Sequence, residues 1–200
     1  MQRLYVRGRL PQGGVAIVGS RTPPPEAVDF AYALAFHIGG PVIAGLALGI
    51  DTAAHRGALD AGNPTVAFVG HGFGATYPPQ NAALEREIER CGGAVATLRA
   101  PGESVTEASL VARDRLQAEY ADAVVLVASE PEGGAMHTLE FARALSKPHF
   151  AVRPPDEAQG LPSWAGNLRA LAGGAAPLPL DVSEALQILR ARIDPVPGSR

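Results

Sequence analysis

Four glycine-rich turns, each following a short apolar run, carry the residues of this 200-residue chain best suited to chemistry. The longest, Gly45-Leu46-Ala47-Leu48-Gly49-Ile50-Asp51, joins an apolar run to a segment with helical spacing. The others are Gly19-Ser20-Arg21, Gly70-His71-Gly72 and Gly133-Gly134. A turn between a strand and a helix directs backbone N–H groups and the positive helix terminus at one point, which suits a phosphate or another anion. Four such turns favour a nucleotide- or nucleic-acid-binding α/β domain.

Charged side chains beside these turns could reinforce anion binding. Arg21 can hold an anion through bidentate hydrogen bonds, although a surface arginine paired with a carboxylate is the alternative. Arg113 and Arg115 lie in a predicted helix, where residues two apart do not share a face. Unless they lie in the first turn of that helix, at most one of them points squarely into the cleft. A solvated charged face is the alternative for these two. Thr138 follows the last glycine turn, for which a simple turn is the alternative.

Asp51 and His55 are spaced to share one face of a helix. A helix N-cap explains Asp51 by itself, whereas a polar pair that braces the turn or orients a ligand explains both residues. We predict no metal site, because the five histidines and one cysteine lack zinc-ligand spacing. We also predict no cofactor. Cys91 is expected to be a buried or helix-end thiol and not a nucleophile, since no basic group is close in sequence.

Apolar runs and helical spacing alternate along the chain. Continuous apolar runs predict strands buried on both faces of a parallel sheet, at 15–20, 41–46, 65–70, 94–98, 123–129 and 149–153. Helical spacing is found at 27–38, 52–61, 81–91, 107–120 and 138–146, with covering elements at 161–174 and 182–193. The pattern predicts a doubly wound, mainly parallel, Rossmann-like α/β sheet of about six or more strands with helices on both faces. Ligands of such sheets bind beyond the carboxyl ends of the strands, where the glycine turns fall.

Composition sets limits on function. A hydrophobic content of 46% and a charged content of 18% are typical of a globular domain, and we expect one domain at 1–194 with a flexible tail at 195–200. The net charge of −3 means that any phosphate-binding face must be local. We find no secretory signal and no apolar run long enough to span a bilayer, so we expect a cytoplasmic protein with no membrane partner.

In this order, the motifs resemble the Rossmann-like core of the DprA/Smf family, the DNA-processing proteins of bacterial transformation. The resemblance covers roughly residues 4–190 and rests on Leu4-Tyr5-Val6-Arg7-Gly8, Gly19-Ser20-Arg21, Gly45 to Asp51 with Ala54-His55, Tyr77-Pro78 with Asn81, Arg113-Asp114-Arg115, Gly134-Ala135-Met136 and Asn167. It implies a non-catalytic protein that binds single-stranded DNA, forms a homodimer and helps to load the RecA recombinase.

Carried over position by position, the resemblance and the glycine turns predict one DNA-binding site. Arg21, Arg113 and Arg115 would contact phosphates, and Asp51 with His55 would brace the second turn. Backbone N–H donors would come from Gly19, Ser20, Gly45, Gly49 and Gly134, and the site is completed by Gly70, Gly133 and Thr138. Asp114 stands where the family usually has asparagine, which weakens the local positive potential.

Two alternatives stay open at this stage. The segment from Gly133 to Glu140 is similar to the glycine loop of LOG-type ("lysine decarboxylase-like") nucleotide phosphoribohydrolases. That resemblance implies that Arg113 and Glu140 help to cleave the N-glycosidic bond of a nucleoside monophosphate. The other alternative is a non-catalytic sensor that binds a nucleotide signal in the same cleft.

Overall fold

One twisted sheet organises residues 3–193, the part of the chain that the computed structural model describes. Its strands are β1 (Tyr5–Gly8), β2 (Val15–Val18), β3 (Val42–Ala44), β4 (Thr65–Phe68), β5 (Ala94–Thr97), β6 (Ala123–Leu126), β7 (His149–Val152) and β8 (Ala176–Leu178). The helices are α1 (Pro25–His37), α2 (Ile50–Asp60), α3 (Ala82–Arg90), α4 (Glu107–Tyr120), α5 (Ala135–Ala144), α6 (Pro162–Ala172) and α7 (Val182–Arg192). The predicted tail at 195–200 lies outside the described residues.

The strand order is β1-β5-β4-β3-β2-β6-β7-β8. Every neighbouring pair is parallel except β1 and β5, which pair antiparallel. From β2 the chain first builds the sheet in one direction to β5 and then, from β6, in the other. The doubly wound, mainly parallel fold is therefore confirmed, and its topological switch point lies between β2 and β6, where such folds bind ligands.

Alternate residues of each central strand contribute to opposite faces of the sheet. In β2, Ile17 packs in the core cluster with α1, α2 and α7, whereas Val18 packs in the cluster with α4 and α5. Both faces are covered, so the strand sequences are apolar throughout. Close packing of α1 on α2 needs Gly57, because a Cβ there would lie 2.1 Å from the Tyr32 carbonyl oxygen.

All six predicted strands form, and the sheet gains one strand at each edge. β1 alternates half-buried and exposed residues, as an antiparallel edge strand does, and β8 has only three residues. Cys91 directly follows α3 and is exposed, so of the two predicted alternatives, a buried or a helix-end thiol, the helix-end position is confirmed. No helix within residues 3–193 is long and apolar enough to cross a membrane.

Candidate nucleic-acid interface

A polar cleft of about 360 Å³ opens at the C-terminal edge of the sheet, above the switch point. The loops that follow β2 and β6 run to opposite faces of the sheet and leave this space between them. Its walls come from Gly19 to Thr22 on one side and from Ser129, Glu130, Gly133, Gly134 and Thr138 on the other, with Asp51, Arg113, Asp114 and Gln117 also lining it.

A second cavity of about 290 Å³ lies beside the polar cleft, above β3 and β4. Its lining is mostly apolar and includes Leu48, Tyr77 and Leu110. Tyr77 is 40% exposed, so its ring is open to a ligand. Arg21 and Arg113 line both cavities and form the boundary between them. We call the two spaces the polar cleft and the apolar cavity.

Arg113 is held between two carboxyl groups. Only 8% of the residue is exposed, its Nε lies 3.0 Å from Asp114 Oδ1, and its Nη1 lies 3.6 Å from Asp51 Oδ2. The guanidinium occupies the space that a side chain at position 45 would need, since a Cβ on Gly45 would lie 1.1 Å from Nη1. Gly45 is therefore required by the close approach of Arg113.

Asp51 braces the glycine turn that precedes α2. Its Oδ2 accepts hydrogen bonds from the backbone N–H groups of Gly45 (2.9 Å) and Ala47 (3.2 Å). Burial raises the pKa of Asp51, against the lowering effect of Arg113 and of these two amides. The N-cap prediction for Asp51 is wrong, because Gly49 occupies that position with a φ of 76° and Asp51 lies inside the first turn.

His55 lies away from the cleft, which corrects its predicted role beside the glycine turn. Its Nδ1 is 2.7 Å from Thr65 Oγ1. The Thr65 hydroxyl donates to the Val42 carbonyl, so it accepts from an Nδ1–H of His55. Burial lowers the pKa of His55 to about 3, which keeps the ring neutral. Because α2 descends from the cleft, His55 instead ties the helix to the first residues of β3 and β4.

Two buried asparagines fix the loops that form the cavities. Asn81 donates from Nδ2 to the carbonyl groups of Leu46 (2.8 Å) and Ala47 (3.2 Å), holding the turn after β3. Asn167 accepts from the Ser129 N–H at 2.9 Å and donates to the carbonyl groups of Val127 and Val152, each at 2.9 Å. Sequence reasoning assigned neither of them to the site, although a lone asparagine in an apolar segment is a signal for such a clamp.

Most of the predicted site residues surround the two cavities. The polar cleft is lined by Gly19, Ser20, Arg21, Asp51, Arg113, Gly133, Gly134 and Thr138, and the apolar cavity by Gly45 and Gly70. Gly49, His55 and Arg115 line neither. A Cβ on Gly49 would lie 2.4 Å from the Ser20 carbonyl oxygen, so this glycine serves the packing of two turns against each other.

Arg115 lies on the exposed face of α4, where its Nε donates to Glu119 Oε1 at 2.7 Å. Its predicted position in the cleft is corrected by the helix geometry, since Arg113 takes the inward face. Two predicted N–H donors are also already used within the protein. The Ser20 N–H donates to the Ala128 carbonyl at 2.7 Å, and the Gly45 N–H donates to Asp51.

Buried polar groups also line the polar cleft, among them Gln117, which sequence reasoning missed, and Thr138, which it had assigned to the site. Gln117 and Thr138 are each 1% exposed, and their Oε1 and Oγ1 atoms have no hydrogen-bond partner among the described residues. Burial raises the pKa of Asp114 to about 6. The cleft therefore offers unsatisfied, buried polar atoms to a ligand.

The catalytic pair implied by the phosphoribohydrolase resemblance does not come together. Arg113 lines the polar cleft, whereas Glu140 lines a separate pocket on α5, with its Oε1 3.9 Å from Arg169 Nη2. Within residues 3–193, no group of three or more histidine, cysteine, aspartate or glutamate side chains could hold a metal ion.

Comparison with known proteins identifies the family. A family model described as DNA recombination-mediator protein A matches residues 2–190. Protein Smf of Synechocystis is 32% identical over 170 residues, which cover 78% of this chain and 42% of that protein. The chain spans less than half the length of the curated relatives it matches.

Two solved structures of DNA processing protein A share the fold. The Streptococcus pneumoniae protein superposes with a TM-score of 0.83 at 25% identity, over 96% of this chain and 67% of that one. The Helicobacter pylori protein, which binds single-stranded DNA, gives a TM-score of 0.82 at 24% identity, over 93% of this chain and 86% of that one. Because the family model matches nearly its whole length, the chain, like its Smf and DprA relatives, belongs to the DNA recombination-mediator protein A family.

Proposed function

We propose that this chain binds single-stranded DNA across the boundary between the polar cleft and the apolar cavity. The observation that carries the proposal is the position of Arg21. This residue is exposed, lines both cavities, and forms no ion pair with any other residue in the range 3–193. An unpaired guanidinium between a polar and an apolar space suits a chain of alternating phosphates and bases.

The phosphate would lie at the rim of the polar cleft. Arg21 supplies a forked set of donors, and Gly134 lies at the N-terminus of α5, where the helix dipole favours an anion. Contacts of this kind hold a strand without reading its sequence.

A base would occupy the apolar cavity. Tyr77 offers an exposed ring, and Leu48 and Pro78 offer apolar contact beside it. Stacking on an aromatic ring accepts any base, because every base has a π-face. The proposed site thus combines a phosphate contact at the polar cleft with a stacking contact in the neighbouring apolar cavity.

We propose further that the chain acts without catalysis, because the separation of Arg113 from Glu140 removes the pair that hydrolysis would need. From the family resemblance alone, we propose a homodimer that supports RecA loading during transformation or recombination, in the cytoplasm. Sedimentation of the chain with and without DNA, and RecA filament assembly on a strand coated with a single-strand-binding protein, test these two points.

Binding of a fluorescent 20-nucleotide strand at two salt concentrations tests the proposed function. Arg21→Ala should weaken binding by about tenfold or more, the loss expected for a hydrogen-bonded charge, and should lower the salt slope by about 0.7 for one lost phosphate contact. Arg90→Ala, which removes an exposed arginine at the far end of α3, is the matched control and should leave both values unchanged.

AMP as a competitor separates the proposed function from the nucleotide alternatives. Salt-sensitive strand binding that AMP barely disturbs supports DNA binding. Complete displacement by micromolar AMP, or equal effects of the Arg21 and Arg90 variants, would contradict it.

A further inference from the structure

The lining of the polar cleft carries more acidic than basic groups. Among its described lining residues, two arginines (Arg21 and Arg113) face three carboxyl groups (Asp51, Asp114 and Glu130). A cleft made only for phosphate would have the opposite balance, since like charges at these distances repel. One of these carboxyl groups must therefore limit where an anion can lie.

Asp114 is the carboxyl group that competes most directly with a phosphate. Its Oδ1 lies 3.0 Å from Arg113 Nε and 3.5 Å from Gln117 Nε2, and only 5% of the residue is exposed. Arg113 cannot turn away from it toward β3, because its guanidinium already fills the space above Gly45. A phosphate that approached the Nε edge of Arg113 from the polar cleft would compete with this buried carboxylate.

Charged and polar groups from every element around the cleft face Asp114. Arg113 and Gln117 share its helix, His137 of α5 has its Nδ1 3.7 Å from Oδ2, and Asp51 of α2 lies across Arg113. Arg21 of the loop after β2 and Glu130 of the loop after β6 complete the lining. Burial and Asp51 raise the pKa of Asp114 to about 6, against Arg113, His137 and Arg21.

We infer that Asp114 is a specificity-determining residue that keeps phosphate off the floor of the polar cleft and confines it to the rim at Arg21. The inference rests on the proposed function and specifies which part of that site a phosphate can occupy. With Asp114 ionised, Arg113 is already paired and the floor accepts neutral hydrogen-bonding groups. With Asp114 neutral, Arg113 becomes available to a second phosphate.

The direction of the pH dependence follows. An anionic strand favours the protonated form of Asp114, so affinity should rise as the pH falls through about 6 and the carboxylate takes up a proton. His137 faces Asp114, with its Nδ1 3.7 Å from Oδ2, so a His137→Gln variant measures the share of this residue in the effect. Asp114→Asn keeps the size and polarity of the side chain but cannot carry the charge.

Strand binding at pH 5.5 and pH 7.5 tests the inference. Relative to the unaltered chain at pH 7.5, Asp114→Asn should bind about five- to tenfold tighter, as expected for loss of one repulsive charge near the ligand. Its salt slope should be steeper by about 0.7, for one added phosphate contact. The control is Asp122→Asn, which removes the same charge before β6, where Asp122 accepts from the Gly14 N–H at 2.7 Å; it should bind as the unaltered chain does.

The outcomes separate the inference from the proposed function. Tighter, less pH-dependent binding by Asp114→Asn supports the inference, and so does pH-dependent binding by the unaltered chain that His137→Gln retains. Equal binding by the unaltered chain and Asp114→Asn at both pH values overturns the inference alone. If neither the unaltered chain nor Asp114→Asn binds the strand at either pH value, the inference and the proposed function are overturned together.

Discussion

The polar cleft and the apolar cavity share Arg21 and Arg113, but their other lining residues differ in chemical character. The polar cleft has buried charges that largely cancel one another and polar atoms that lack partners. The apolar cavity has aliphatic side chains and the exposed ring of Tyr77. Arg21, which forms no ion pair with any residue in the range 3–193, lies where the two spaces meet. From this comparison we propose that the strand binds at the boundary and not in either cavity alone.

Gly45→Ala should have the largest effect, because it breaks the boundary itself. A Cβ at this position would collide with Arg113 Nη1, so the free energy of unfolding should fall by about 3 kcal/mol, at the upper end for overpacking. Urea denaturation measures the loss. Gly40→Ala is the control, since a Cβ there meets nothing within 4 Å. Equal stability of the two variants would mean that Arg113 does not occupy the boundary.

Asn167→Ala should weaken the wall of the polar cleft and spare the apolar cavity. The change leaves the Ser129 N–H and the carbonyl groups of Val127 and Val152 without their side-chain partner. The free energy of unfolding should fall by about 2 kcal/mol, the cost of buried polar groups left unsatisfied. Amide hydrogen exchange should show faster exchange at 129–134 but not at 45–49, which Asn81 holds. Uniform loosening of both loops would contradict independent clamps.

Tyr77→Ala tests the apolar side of the boundary. Loss of one stacked base should weaken strand binding by about 1 to 3 kcal/mol. The salt slope should stay the same, because no phosphate contact is lost. Fluorescence anisotropy at several salt concentrations measures both quantities. Tyr77→Phe keeps the ring and should bind as the unaltered chain does. A slope that changed with Tyr77→Ala would show that the ring affects phosphate contacts instead of a base.

Arg115→Ala should have the smallest effect. Its ion pair with Glu119 is exposed, and such pairs contribute about 0.5 kcal/mol or less to stability. Strand affinity should change less than twofold, in contrast to Arg21→Ala. The same anisotropy titration measures it, and a loss as large as that of Arg21→Ala would place the DNA along α4 and overturn the boundary account.

The fold was largely predictable from sequence, because strands buried on both faces are apolar at every position. Such strands leave continuous apolar runs that are easy to identify. The edge strands β1 and β8 were missed because their residues are of mixed burial, so they leave no continuous apolar run. The site was predictable where one loop carries it, as with Gly19 to Arg21. It was not predictable where distant residues meet. The pairing of Arg113 with Asp51 and the clamp by Asn167 depend on contacts 62 and about 40 residues apart along the chain.

Helix phase decided the remaining errors. Arg113 and Arg115 are equivalent by residue type, and only the packing of α4 against the sheet selects Arg113 for the cleft. In α2, the helix begins at Ile50, after Gly49, so His55 points below the cleft although it shares a face with Asp51. Boundaries shifted by one or two residues change which side chains reach a site.

The most direct measurement of the boundary is a crystal structure of the chain with a short oligothymidylate that carries one brominated base. We expect a backbone phosphate within hydrogen-bond distance of Arg21 and the anomalous bromine signal in the apolar cavity beside Tyr77. A strand bound on another face, or a phosphate on Arg113 with the brominated base in the polar cleft, would contradict the account.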